Sequence, residues 1–204
     1  MVQKIGVFGG SFNPIHHGHL ILAQDVLESF ELDHFLFVPC GFPPHKDLAD
    51  YAPGDHRLNM LEMVAETDLR FEVTGMELER DSTSYTYESL KALQDESPDE
   101  EILFIIGSDT LPELHTWHCV EDLLDEFRIV SLVRPGFRCE DLESLDFRLR
   151  PGRKEELLGS LIQGHRIDIS SSDIRMRLAE GMSIRYLVPE EVEMYIYEHG
   201  LYKF

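Results

Sequence analysis

The residues of this 204-residue chain best suited to chemistry lie near its start, in Gly9-Gly10-Ser11-Phe12-Asn13-Pro14-Ile15-His16-His17-Gly18-His19. Three imidazoles within four positions are an uncommon choice for a solvated helix start, because histidine is a poor helix former. An apolar run, Ile5 to Phe8, precedes the stretch and an apolar-periodic segment follows it, so the pattern predicts strand, tight turn and helix. Adjacent glycines let a backbone approach a ligand closely and take conformations that a Cβ obstructs. The first N–H groups of the helix lack intrahelical partners and suit an anion. His16 and His19, three apart, fall on one face within reach of one phosphate, where the helix dipole is already positive. Zinc is the other chemistry open to a His-rich tract, but no Cys or carboxylate partners stand at ligand spacing.

A second stretch with the same physics is Ser170-Ser171-Ser172-Asp173-Ile174-Arg175. Hydroxyls at a helix start supply caps and donors together with free N–H groups, and Arg175 and Arg177 add positive charge one turn inside. That combination suits a triphosphate tail; on its own it is also an ordinary capping signal. Between the two stretches stand further candidates. Asp109, in Gly107-Ser108-Asp109 after the apolar run Ile102–Ile106, is placed either to accept from ribose hydroxyls or to cap the next helix. His45 and Lys46 follow two prolines in a loop, and Arg134 stands at the end of Arg128–Val133, where its planar fork can meet a phosphate. Ser82 to Glu88 offers another helix start. Trp117, at threefold spacing from Leu111 and Leu114, is either core or a stacking platform. His115, His118 and Cys119 read as ordinary helix residues. No nucleophile is paired with a base, which suits phosphoryl-group transfer by positioning and charge.

The elements that must position these groups alternate. Helices are expected at His17–Phe30, Gly54–Glu66, Ser82–Gln94, Leu111–Val120, Arg153–Leu161 and Pro189–Glu198, and strands at Ile5–Phe8, Phe35–Val38, Phe71–Val73, Ile102–Ile106, Arg128–Val133 and Ile167–Ile169. Arg57 is either structural or turned to the site, and Glu77 to Arg80 reads as an exposed or edge segment. Continuous apolar strands alternating with helices predict an α/β fold, a doubly wound, mostly parallel sheet of Rossmann-like type with its site along the carboxyl edge. One domain is expected.

Composition narrows the partners. The formal charge of −21, from 39 acidic and 18 basic residues, disfavours a nucleic-acid-coating or anionic-membrane surface. An anionic substrate must then be met by locally gathered His, Arg, Lys and N–H donors. Cys40, Cys119 and Cys139 form no paired motif, so free thiols, a reducing compartment and a cytoplasmic location are expected. Nothing in the pattern selects between a monomer and a homo-oligomer.

The first stretch resembles the strand-turn-helix signature of the nucleotidyltransferase superfamily, with His16-His17-Gly18-His19 as its H-x-G-H core. From Lys4 to about Tyr202 the chain is similar to the bacterial nicotinate-mononucleotide adenylyltransferase family. Ile169-Ser170-Ser171-Ser172-Asp173-Ile174-Arg175 resembles that family's I-S-S-T-x-I-R element, with Ser172 for threonine; Ser11 is a similar departure in the first motif. The resemblance implies adenylyl transfer from ATP to nicotinate mononucleotide. It implies His16, His19 and Arg175 as catalytic, and Gly9, Gly10, Ser11, Phe12, Gly18, Gly107, Asp109, Ser171 and Ser172 as ATP-binding. Lys46, Tyr85, Thr86, Trp117 and Arg134 would bind the mononucleotide, with Trp117 stacked on the pyridine. Mg²⁺ would be held mainly by ATP phosphates, with no metal site on the protein. Sister reactions, to phosphopantetheine or a phosphorylated alcohol, are disfavoured by Trp117, Tyr85-Thr86 and Pro43-Pro44-His45-Lys46.

Overall fold

The continuous apolar runs of the sequence become inner strands of one sheet, buried on both faces as parallel strands must be. The computed structural model describes residues 2–41, 51–80, 82–133 and 139–202, with side chains for all of these but 139–141. In chain order the elements are β1 (Lys4–Gly10), α1 (His17–Phe30), β2 (His34–Pro39), α2 (Gly54–Ala65), β3 (Phe71–Val73), α3 (Thr86–Glu96), β4 (Glu101–Gly107), a 3-10 helix (Ser108–Thr116), α4 (Val120–Glu126), β5 (Arg128–Leu132), α5 (Cys139–Ser144), α6 (Arg153–Gly159), β6 (Leu161–Ile162), α7 (Ser171–Ala179) and α8 (Glu190–Glu198). The six strands lie in the order β3-β2-β1-β4-β5-β6, and every pairing is parallel. This is the Rossmann-like, doubly wound sheet that the alternation predicts. Its order reverses between β1 and β4, where such sheets open a crevice at their carboxyl ends.

Alternation along the strands divides the core in two. Phe8, Phe35, Phe37, Leu103, Ile105 and Val130 pack on one face, with α1, α2, α7 and α8. Val7, Leu36, Ile102, Phe104 and Ile129 pack on the other, with α3, the 3-10 helix, α4 and α6. Burying one such side chain contributes roughly 1.5–3 kcal/mol, whereas an exposed ion pair such as Lys91–Glu126 contributes about 0–1 kcal/mol. The sheet that positions the site is therefore held by packing, not by the charged surface.

Four expectations are corrected. Leu111, Leu114 and Trp117 lie on no single α-helix: Ser108–Thr116 is a 3-10 helix, Trp117 is extended, and Cys119 is left-handed at φ 51° before α4 begins. A strict repeat of three suits 3-10 geometry, in which residues i and i+3 eclipse, and Pro112 removes a donor inside the segment. Ile167–Ile169 is not a strand; the last strand is Leu161–Ile162, within the segment expected to end a helix. Neither Ser108 nor Asp109 caps, because Gly107 holds the N-cap position. His118 and Cys119 sit in the turn between helices, and neither Cys40 nor Cys119 is in a disulfide. Among the described residues no helix is long and apolar enough to cross a membrane.

Candidate active site

Local chemistry explains how the first loop is held open. Gly9 and Gly10 are still in β1, paired with Val38 and Pro39, and neither has a positive φ. The left-handed position of the turn is Phe12, at φ 40°. What the glycines provide is space, since both line a cavity and a Cβ on Gly10 would lie 3.1 Å from the Phe12 ring. The Asn13–Pro14 peptide is cis, and the buried Asn13 Oδ1 accepts from the N–H of Ala52 at 3.0 Å and from the Tyr202 hydroxyl at 2.8 Å. Burial pushes the Tyr202 phenol far up, so it stays a neutral donor. Arg57, also buried, donates to the carbonyls of Ala52, Ser11 and Cys40. Of the two roles open to Arg57, the structure shows the structural one, played through carbonyls.

His16 caps α1. Its Nδ1 accepts from the His19 N–H at 3.3 Å, so the proton of the neutral ring sits on Nε2. The two rings stack at 3.7 Å between centroids and 19° between planes. Phe12 and Phe8 meet the His19 ring edge-on, at 5.2 and 6.0 Å. Gly18 is required beneath this pair, because a Cβ there would lie 2.9 Å from His16 Nδ1 and 3.4 Å from the Ile169 carbonyl. One expectation changes: the His17 N–H is spent on Leu187 O at 3.0 Å and that of His19 on His16. An anion at this end would therefore meet imidazole more than helix N–H groups.

The two distant stretches do meet. Ser171 Oγ donates to Pro14 O at 2.9 Å, and Arg175 Nη1 donates to Asn13 O at 2.9 Å, across 157 and 162 residues of chain. Arg175 Nη2 stands 3.4 Å from Ser172 Oγ, while the Ser170 hydroxyl caps α7 by accepting from the Asp173 N–H. Arg177 donates through Nε and Nη2 to Ser183 O, in the turn that follows α7.

Two cavities have residues of the loop Gly9–His19 among their walls. The first, about 190 Å³, has Gly9, Gly10, Glu77, Thr86, Phe104 and Trp117 among its walls. The Trp117 indole meets the Phe104 ring at 6.2 Å. Thr86 opens α3 at the cavity, whereas Tyr85 stands outside it, 42% exposed, with its ring 4.4 Å from that of His118. Three polar residues of this cavity were not legible in the sequence. Glu77 accepts from Ser89 Oγ at 2.7 Å, Ser89 in turn accepts from Arg80 Nη1 at 2.9 Å, and burial holds the Glu77 carboxyl above its ordinary range. Ser84 Oγ is buried with no partner among the described residues. Within Glu77 to Arg80, then, Glu77 and Arg80 are tied to Ser89 of α3, and only Glu79 is exposed as expected.

The second cavity, about 130 Å³, is bounded by His16, Gly18, His19, Leu22, Val133, His165 and the segment from Ile167 to Ser170. Gly107 ends β4 level with Leu132, and Asp109 lies exposed just beyond it. Lys46 and Arg134, with His45, lie outside the described residues. Among the described residues no three His, Cys, Asp or Glu side chains gather as a metal cage.

A parallel sheet of this order, with imidazole, guanidinium and hydroxyl donors gathered at its switch point, defines a nucleotide-handling protein of the doubly wound class. The family model described as Cytidylyltransferase-like matches residues 7–177. The probable nicotinate-nucleotide adenylyltransferase of Geobacillus thermodenitrificans is 41% identical over 199 residues, 98% of this chain and 86% of that protein. The nicotinate-nucleotide adenylyltransferase of Bacillus subtilis is 34% identical over 202 residues, covering 99% of this chain and 100% of the relative. The fold is shared, at 21% identity and a TM-score of 0.74, with the Plasmodium falciparum nicotinic acid mononucleotide adenylyltransferase complexed with NaAD, over 98% of this chain and 97% of that one. The chain belongs to the cytidylyltransferase-like nucleotidyltransferases, in their nicotinate-nucleotide adenylyltransferase branch.

Proposed function

We propose that the chain joins ATP to nicotinate mononucleotide as the adenylyltransferases it resembles do, and that the loop Gly9–His19 is the line along which the phosphates react. An oxygen of the mononucleotide phosphate attacks the α-phosphorus of ATP, the bond from that phosphorus to the bridging oxygen breaks, and pyrophosphate leaves with the electron pair. The products are nicotinate adenine dinucleotide and pyrophosphate. The arrangement that supports this reading is a pair of cavities that share one loop among their walls, with His16 and His19 at one of them and Arg175 bonded to the loop itself. An in-line transfer needs its acceptor and donor on opposite sides of the reacting phosphorus.

In this reading the His16 Nε2–H and the His19 ring hold the α- and β-phosphates as charge grows on the bridging oxygen. Arg175 exchanges its contact with Asn13 O for the departing pyrophosphate, aided by Ser171 and Ser172 at the start of α7. Gly9, Gly10, Ser11, Phe12 and Gly18 shape the bed for the phosphates, and Gly107 and Asp109 meet a ribose. The pyridine enters the first cavity, with Trp117 against its face and Thr86, at the α3 N-terminus, toward its carboxylate; Tyr85 borders the mouth. Lys46 and Arg134 add counter-charge. The divalent ion would be carried by the phosphate oxygens of the nucleotide. Mg²⁺, when bound with ATP, supplies neutralisation of the leaving pyrophosphate. The test is a panel of nicotinate mononucleotide, nicotinamide mononucleotide and phosphopantetheine with ATP, scored by pyrophosphate release. The first should be used best, and a preference for phosphopantetheine would overturn the assignment.

A further inference from the structure

The face of α1 that starts at His19 continues at helical spacing through Leu22 to Asp25. Asp25, only 12% exposed at its side chain, accepts twice from one residue: from the main-chain N–H of His165 at 2.7 Å and from its ring Nδ1 at 2.7 Å. Gly164 makes this approach possible, since a Cβ there would lie 2.5 Å from Asp25 Oδ2. The His165 ring itself is 72% exposed and stands at the edge of the second cavity.

The geometry fixes what this ring can do. An ionised carboxylate only accepts, so the bonded Nδ1 carries the proton and Nε2 of the neutral imidazole is an acceptor. The cavity is polar at His16, His19 and Ser170; beyond these, Leu22, Val133, Ile167 and Ile169 form apolar walls, and His165 and Asp168 are the polar groups beside them. Apolar walls bind a heterocycle without telling one purine from another. Asp168, exposed and also at the cavity, is the other acceptor on this segment, and the test must separate it from His165.

We propose that His165, oriented by Asp25, is a specificity-determining residue for the donor nucleotide, its Nε2 accepting from the 6-amino group of adenine and disfavouring the 6-oxo group of guanine. This rests on the reading above that the second cavity belongs to the nucleotide donor. The test compares ATP with GTP, as kcat/KM for pyrophosphate release and as binding by calorimetry, in the wild type and in His165→Phe, His165→Gln and Asp168→Asn. His165→Phe keeps a ring and loses the acceptor. It should lower the ATP-to-GTP preference about tenfold, the scale of one partly exposed hydrogen bond, without altering KM for the mononucleotide. His165→Gln, which retains an acceptor oxygen, should recover much of the preference. An unchanged ratio in His165→Phe, an equal loss with both nucleotides, or a fall produced by Asp168→Asn instead would overturn the proposal. If the wild type released no pyrophosphate the adenylyl-transfer reading would fail, while the two binding constants would still decide the role of His165.

Discussion

His16 and His19 form a stacked pair whose first ring caps the helix and whose second is wedged between Phe8 and Phe12. In the proposed mechanism their role is electrostatic, so His19→Ala should lower turnover by about two to three powers of ten, the scale of one lost transition-state donor. The melting midpoint should move far less; an unchanged rate would remove His19 from the mechanism. Trp117 is the only tryptophan, which makes its emission a direct report on the first cavity. Nicotinate mononucleotide should quench it and ATP alone should not; quenching by ATP alone would contradict the division between cavities. Glu77 gives a pH signature. Burial raises its carboxyl above the ordinary value of 4.5, so the folded protein holds the proton more tightly than the unfolded chain. The stabilising share of this group is full below its ordinary value and is lost as pH rises through the folded value. Glu77→Gln removes that titration and keeps an acceptor for Ser89, so the variant should gain stability relative to the wild type only on the alkaline side. Parallel curves of midpoint against pH would count against a buried carboxyl. The histidine pair was legible because a tight turn fixes its geometry within a few residues. Glu77 was not, because only the packing of α3 over it removes it from water.

At the scale of elements, the decisive contacts tie the first loop to α7, through Ser171 and Arg175, and to the start of α2, through Arg57. Among the described residues Arg57 donates to three carbonyls. Hydrogen bonds to a charged group contribute about 1.5–3 kcal/mol each, so Arg57→Met should destabilise the protein by about 3 kcal/mol or more in urea unfolding. A change under about 1 kcal/mol, within the range of surface substitutions, would show the clamp to be dispensable. The helix starts at His17 and Ser171 could be read from their capping residues and apolar periodicity. The break at Trp117 was misread, because a repeat of three is compatible with an α-helix over two turns and only Pro112 hinted otherwise. Ile167–Ile169 has strand-like residues but pairs with no strand; it runs beside α1 and lines the second cavity instead.

At the scale of the molecule, −21 charges surround a site that reads as a binder of polyanions. Repulsion over the long range is screened within about 10 Å at 0.1 M salt, whereas the contacts inside the cavities are screened less. KM for ATP should therefore fall as salt is raised from a few millimolar towards that value, opposite to the behaviour of a basic nucleotide-binding surface. A monotonic rise would mean that the acidic exterior is not felt at the site. The doubly wound sheet was legible as a whole because its strands are continuous apolar runs and each is followed by a helix. The partition of its carboxyl edge into two cavities was not, since it depends on where one loop lies. The central claim is that this loop is where the α-phosphate of ATP reacts, and pyrophosphate release from ATP, Mg²⁺ and nicotinate mononucleotide by the wild type and by His19→Ala tests it most directly. The account predicts rapid release by the first and release about two to three powers of ten slower by the second, with binding of both nucleotides retained. Equal rates, or none from the wild type while both substrates bind, would contradict it.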